Sequence, residues 1–134
     1  MSDSENEKKA IQAVWQRAVE ALATCDWPAY AELWAHDSYV AAIHPAQGSW
    51  WTGWNEVGER YRAIIEKGIP IRASTQRMDI QLSRSGDVAW AAFETEVRAG
   101  KTGGRLSWQV VVFEKKAGEW RMALAFDAPR RAKG

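Results

Sequence analysis

The sequence predicts an α+β fold in which three N-terminal helices pack on a strongly curved mixed or antiparallel β-sheet. Two observations carry that expectation. Apolar residues recur at the helical spacing of about 3.6 up to Gly68, and at a spacing of about two from Ile71 onward. Three turn-rich clusters, at 85–87, 100–104 and 116–118, then cut the second half into four long strand candidates. With 134 residues the chain fits one domain spanning 1–134, large enough to bury a core and still hold a pocket.

Ser4 and Glu7 have the spacing of a capping box. The stripe Ile11, Val14, Trp15, Ala18, Val19 and Leu22 that follows predicts an amphipathic helix over about 5–24. Asp26 suits the N-cap of a second helix with Pro28 in its first turn, burying Tyr30, Leu33 and Trp34. Residues 38–44 (SYVAAIH) read as a strand ended by Pro45. Residues 45–53 read as a loop. A third helix starts near Trp54 and carries Val57, Tyr61, Ile64 and Ile65, with Gly68 as its C-terminal cap and Pro70 barring resumption. The four strands are expected at about 71–84, 87–99, 105–115 and 119–127. The apolar phase slips between Thr75 and Met78, which predicts a bulge and a bend.

Net charge is +1, so no broad field favours nucleic acid or an anionic membrane, and the basic tail of Arg130, Arg131 and Lys133 is short. The N-terminus is polar and lacks the apolar core of a signal peptide, and no apolar run approaches membrane-spanning length. The single cysteine, Cys25, cannot form an internal disulfide and is expected to pack near a helix end. A reducing cytoplasm is the simplest location. His36 and His44 are the only histidines, so no metal site is expected. His36 is read as a cation closing the second helix.

Both faces of the last two strands are largely apolar. In 105–115, Leu106, Trp108, Val110 and Val112 alternate with Gln109, Val111 and Phe113. In 119–127, Trp120, Met122, Leu124 and Phe126 alternate with Arg121, Ala123, Ala125 and Asp127. A sheet with one wet face alternates more cleanly. Helices cover one face, and a second copy of the chain is the economical cover for the other, so a homodimer through the sheet is expected. Of the nine tryptophans, Trp15, Trp90, Trp108 and Trp120 are read as core or interface.

The order of motifs is a helix, D-W-P-x-Y-x-x-L-W, a strand ending in His-Pro, a loop, G-W-x-x-V, and hairpins ending in F-E-K-K-x-G-E-W-R-M. Over nearly the whole chain it resembles the nuclear transport factor 2-like superfamily, most closely its SnoaL-like and ketosteroid-isomerase-like members. The resemblance implies a cone-shaped (cystatin-like) fold with a pocket at the open end, and does not by itself give a function. In the isomerases the general base is an Asp before a Pro at the first strand's end, nine residues ahead of the Gly opening helix three. Here His44 and Gly53 hold those positions. The acidic oxyanion donor, four residues before the Phe of the penultimate strand, corresponds to Gln109. The helix-one tyrosine corresponds to Ala18, so that donor is missing. Tyr61, Trp34 and Asp127 match pocket positions. Many close relatives end in an H-x-S pattern where this chain has AFDAP.

The residues themselves allow the same site. His44 sits where a strand meets a loop, with an ordinary pKa near 6.5 that suits proton transfer at neutral pH. Asp127 could orient His44 and raise its basicity, or act as base itself, or form an ion pair with Arg121, Arg130 or Arg131. Gln109 could donate to an enolate oxygen or be a satisfied core amide. Trp34, Trp51, Trp54 and Tyr61 would wall a small-molecule pocket, although Trp50, Trp51 and Trp54 also suit a loop anchor. The leading expectation is a cofactor-independent isomerase, cyclase or dehydratase acting on a small apolar or carbonyl-bearing molecule. The competing expectation is a non-catalytic binding or oligomerisation module resembling kinase-association domains.

Overall fold

The computed structural model describes residues 3–101 and 103–130, so Arg131 and Lys133 of the basic tail lie outside the described residues. The helices are α1 (Asp3–Thr24), α2 (Trp27–Ala31) and α3 (Trp54–Glu66). The strands are β1 (Ala41–His44), β2 (Ser49–Thr52), β3 (Ile71–Leu82), β4 (Val88–Ala99), β5 (Arg105–Lys116) and β6 (Glu119–Pro129). They form one sheet in the order β2-β1-β6-β5-β4-β3. Every pairing is antiparallel except β1 with β6, so the sheet is mixed and the α+β expectation is met. Among the described residues no helix is long and apolar enough to cross a membrane.

The amphipathic stripe of α1 buries Ile11, Val14, Trp15, Ala18 and Ala21 against the sheet. Trp15 stacks on Phe93 of β4 with ring centroids 4.2 Å apart, and its indole N–H donates to Thr75 Oγ1 at 3.0 Å. Thr75 borders the bulge that the slipped phase predicted, which falls between Thr75 and Arg77. Helix α1 already contains Ser4 in its first turn, so Ser4 does not cap it, and Glu7 instead forms an ion pair with Lys115 Nζ at 2.8 Å. Asp26 does cap α2, accepting from the Ala29 amide at 3.2 Å. That helix is one short turn longer in sequence than in structure. Leu33, Trp34 and Ala35 leave it to bridge β6, where Ala35 N–H donates to Met122 O and Met122 N–H donates to Leu33 O.

Two sequence expectations need correction. Residues 45–53 are not all loop: after a 3-10 turn at Pro45–Gln47, Gly48 (φ 65°) reverses the chain and Ser49–Thr52 pairs with β1. A left-handed residue is what so tight a reversal needs, and glycine takes it without strain. The second correction concerns β6. A register shift at Val112/Phe113 pairs Phe113 with Met122 but Val112 with Leu124, leaving Ala123 as the extra residue. Trp120 and Met122 therefore share the helix-facing side with Ala125 and Asp127, while Leu124 and Phe126 turn outward. Uninterrupted alternation would have put Asp127 on the side opposite Met122.

Candidate functional site

Register brings three predicted side chains into one row. β1 runs parallel to β6 with Ala42 opposite Ala125 and Ile43 opposite Phe126, so the next residue, His44, arrives level with Asp127. Asp127 is in turn paired with Gln109 of β5. Alternation along each strand points all three toward the helices. They line the polar end of a cavity of about 360 Å³ enclosed by α1, α2, α3 and the inner face of the sheet. The other end is apolar, with Trp15, Val19, Leu22, Ile64, Val111 and Met122 among its walls.

His44 and Asp127 are close without being hydrogen-bonded, Nδ1 to Oδ2 being 4.0 Å. The other ring nitrogen, Nε2, is 3.0 Å from the Tyr61 hydroxyl, and Tyr61 in turn reaches the Tyr30 hydroxyl. Asp127 Oδ2 is also 3.4 Å from Arg105 Nη2. Neither Asp127 Oδ1 nor Gln109 Oε1 has a hydrogen-bond partner, although both atoms are buried.

Burial lowers the His44 pKa below its ordinary value, and Arg105 adds to the fall; the Asp127 carboxylate opposes both and loses. The sequence expectation of a more basic imidazole is thus reversed, because desolvation of the cation outweighs a carboxylate 4.0 Å away. Burial likewise pushes the Tyr30 hydroxyl up to about 12, with Trp34 and Tyr61 opposing, and holds Tyr61 well above its usual value. At neutral pH the row is a neutral imidazole resting on neutral phenols. A linkage effect follows. An unfolded His44 takes up its proton near 6.5, the folded one only at lower pH, so stability is lost as pH falls from about 6.5 toward the depressed folded value. Melting temperatures measured from pH 8 to pH 5 are expected to fall less steeply for His44→Gln than for the parent.

Of the predicted walls, Tyr61 lines the cavity. Trp51 lies at its edge, its ring 5.3 Å from that of His44 and 5.4 Å from that of Tyr61. Trp34 and Trp54 do not line it. Trp34 is core, fully buried beneath Tyr61. Trp54 stacks on His36 at 4.1 Å and on Trp27 at 6.0 Å. His36 Nε2 also bonds the carbonyl of Ala31 at the end of α2, in keeping with its assigned capping place. Trp50 points to solvent on the opposite side of the sheet. Ala18, at the position of the missing helix-one tyrosine, lines the cavity, and the phenols there come from α2 and α3 instead. Two site residues went unread in the sequence, Tyr30 and Arg105. Arg105 shares its inward parity with Gln109 two pairs along β5, which was the available signal; Tyr30 looked like ordinary core. Among the described residues, no three His, Cys, Asp or Glu side chains gather so as to hold a metal ion.

A family profile for the SnoaL-like domain matches residues 11–124. The chain belongs to the SnoaL-like family. No curated protein matches it in sequence. Its fold is similar to that of a putative dehydratase of the nuclear transport factor 2-like family from Streptomyces avermitilis (TM-score 0.83, 17% identity, covering 96% of this chain and 99% of that one). A nuclear transport factor 2-like superfamily protein from Salmonella enterica serovar Typhimurium is also similar (TM-score 0.84, 18% identity, covering 98% and 96%). So is a putative calcium/calmodulin-dependent protein kinase type II association domain from Thiobacillus denitrificans (TM-score 0.71, 18% identity, covering 90% and 94%). At such identities the likeness shows the SnoaL-like fold and nothing about the chemistry.

Proposed function

We propose that this SnoaL-like protein is a small-molecule acid–base enzyme, an isomerase, cyclase or dehydratase that works with its own side chains on an apolar, carbonyl-bearing compound. The observation that carries the reading is the row His44, Asp127 and Gln109 across three strands at the polar end of one cavity. With Nε2–H donating to Tyr61, the Nδ1 lone pair faces the cavity side, and a neutral imidazole accepts a proton from the carbon next to a carbonyl. Asp127 stabilises the imidazolium that results, and the Gln109 amide, turned nitrogen inward, donates to the enolate oxygen. The test is hydrogen–deuterium exchange at the α-carbons of 2-decalone in D2O, followed by NMR. Exchange faster with protein than with the same protein heat-inactivated is expected; equal rates would remove the enzyme reading.

The outward face of the sheet favours a second reading, an oligomerisation module, which is compatible with the first. Trp50, Trp90, Trp108 and Val110 are exposed there beside half-buried Ile43, Val112, Leu124 and Phe126. A contiguous apolar patch of this kind is unusual on a monomer. The net charge of +1 leaves two copies little repulsion, and the ion pair of Arg130 with Glu94 at its margin offers both signs to a twofold mate. Light scattering at micromolar protein is expected to give the mass of a dimer for the parent and of a monomer for Trp90→Glu/Trp108→Glu.

A further inference from the structure

We infer that the substrate of this cavity carries a carboxylate, held at the cavity mouth by the guanidinium of Arg105, while its carbonyl and the carbon beside it reach the row of His44, Gln109 and Asp127. The inference deepens the acid–base reading and takes the orientation of the substrate from it. The carboxylate site itself stands on the geometry of the mouth.

The exposed lining residues mark the mouth. They are Gln47 in the 3-10 turn, Ala99 at the end of β4, Gly103 in the turn that follows and Arg105 at the start of β5; every other lining residue is buried or half-buried. Arg105 is the sole permanent cation that lines the cavity. It stands opposite Val97 of β4, another lining residue, so its side chain belongs to the cavity and not to the outward face of the sheet. Gly103 leaves open space beside it, since a Cβ there would meet nothing within 4 Å. Among the described residues the guanidinium has one hydrogen-bonded partner, Asp127 Oδ2, which Nη2 alone reaches at 3.4 Å.

A guanidinium carries five N–H donors in a planar fork, and a partly exposed ion pair of that length holds it weakly. The donors not spent on Asp127 are open to a ligand at the mouth, where the Arg105 side chain is 43% exposed. The fork matches a carboxylate, which it binds through two parallel hydrogen bonds. One guanidinium beside a carboxylate suits a single negative charge; a phosphate dianion would bring more charge than the mouth can match. The spacing agrees with the chemistry proposed for the row. Asp127 Oδ2 lies 3.4 Å from Arg105 Nη2 and 4.0 Å from His44 Nδ1, so a carboxylate on the guanidinium is only a few bonds from a carbon at Nδ1. The hydrocarbon remainder fills the apolar end of the cavity of about 360 Å³. The chemical class is therefore a compact keto acid with an apolar body.

Cyclohexanecarboxylate and cyclohexanecarboxamide test it, because they share a ring and a planar head and differ in charge. Each is titrated at neutral pH into 15N-labelled protein, with the shifts of the Arg105 Nε–H and the His44 ring followed by NMR. The carboxylate is expected to bind at least about tenfold tighter than the amide, the worth of a charge-assisted hydrogen bond. Arg105→Gln is expected to erase that preference, and Arg105→Lys, which keeps the charge without the fork, to retain part of it. Asp127→Asn removes the rival acceptor and the nearby negative charge, so it is expected to widen the preference. Equal affinity of the two in the parent, or no binding of either at millimolar concentration, would overturn the inference. A preference that survives in Arg105→Gln, or narrows in Asp127→Asn, would overturn it as well. Neither probe has an exchanging ketone, so binding stands apart from 2-decalone exchange. Exchange without the carboxylate preference removes this inference alone; the preference without exchange removes the acid–base reading and leaves the carboxylate site.

Discussion

His44→Gln is expected to slow the protein-catalysed exchange of 2-decalone α-protons by about 10²–10⁴-fold, the usual worth of a positioned general base. Glutamine keeps a polar group beside Tyr61 but has no titratable nitrogen. The phenols that support the ring give a companion result. Tyr61→Phe removes the partner of Nε2 at 3.0 Å and leaves the imidazole itself in place. A smaller fall is expected there, with the pH profile displaced because the ring is no longer held in one tautomer. Should His44→Gln exchange as fast as the parent while Asp127→Asn is inactive, the carboxylate is the base and His44 only its neighbour. Because the folded His44 titrates below its ordinary value, the rate in the parent is expected to stay flat from pH 8 down to about 6.5, then fall as the imidazole protonates.

Trp34→Ala carries the largest stability effect. The side chain is 1% exposed and lies between the Tyr61 ring at 5.7 Å and the Trp54 ring at 6.4 Å, where its chain segment bridges to Met122 of β6. Emptying such a site costs about 3–5 kcal/mol through lost transfer energy and the cavity left behind. A domain of this size is stable by about 5–15 kcal/mol, so the variant sits near the limit of folding. Urea midpoints measure it directly. Glu59→Ala, at an exposed position of α3 away from the outward face of the sheet, is the control and is expected to stay within about 0.5 kcal/mol. A loss at Trp34 no larger than that at Glu59 would mean the helix–sheet seam is not where the core is held.

Much of the fold was legible because its signals are local. The stripe of α1, the Asp26 cap and the slipped phase at Thr75 each report within a few residues what the backbone does there. The second bulge was not, because Ala123 sits in a run of apolar residues where either phase looks acceptable. β2 was hidden for another reason: Gly48 and Ser49 read as loop, and only pairing with β1 makes the next residues a strand. The site was half legible. His44, Gln109 and Asp127 could be named from position, but their meeting depends on a register and a bulge that no short window contains. The walls misled because tryptophan serves core, stack and surface alike. Trp34 fills the core, Trp54 stacks on His36 and Trp50 faces outward, while less conspicuous Tyr30 and Arg105 face the cavity.

The parallel seam of β1 with β6 also sets an order of events. β3, β4 and β5 form by closing short loops between sequence neighbours, each step costing little chain entropy. β1, made early, has no neighbour but its own hairpin until the final strand arrives. His44 and Asp127 belong to those two strands, so their juxtaposition is among the last contacts completed as the chain emerges from the ribosome. A nascent chain halted before β6 would hold helices and a meander yet have no site. The row of His44, Gln109 and Asp127 is therefore expected to be absent until the chain is topologically finished.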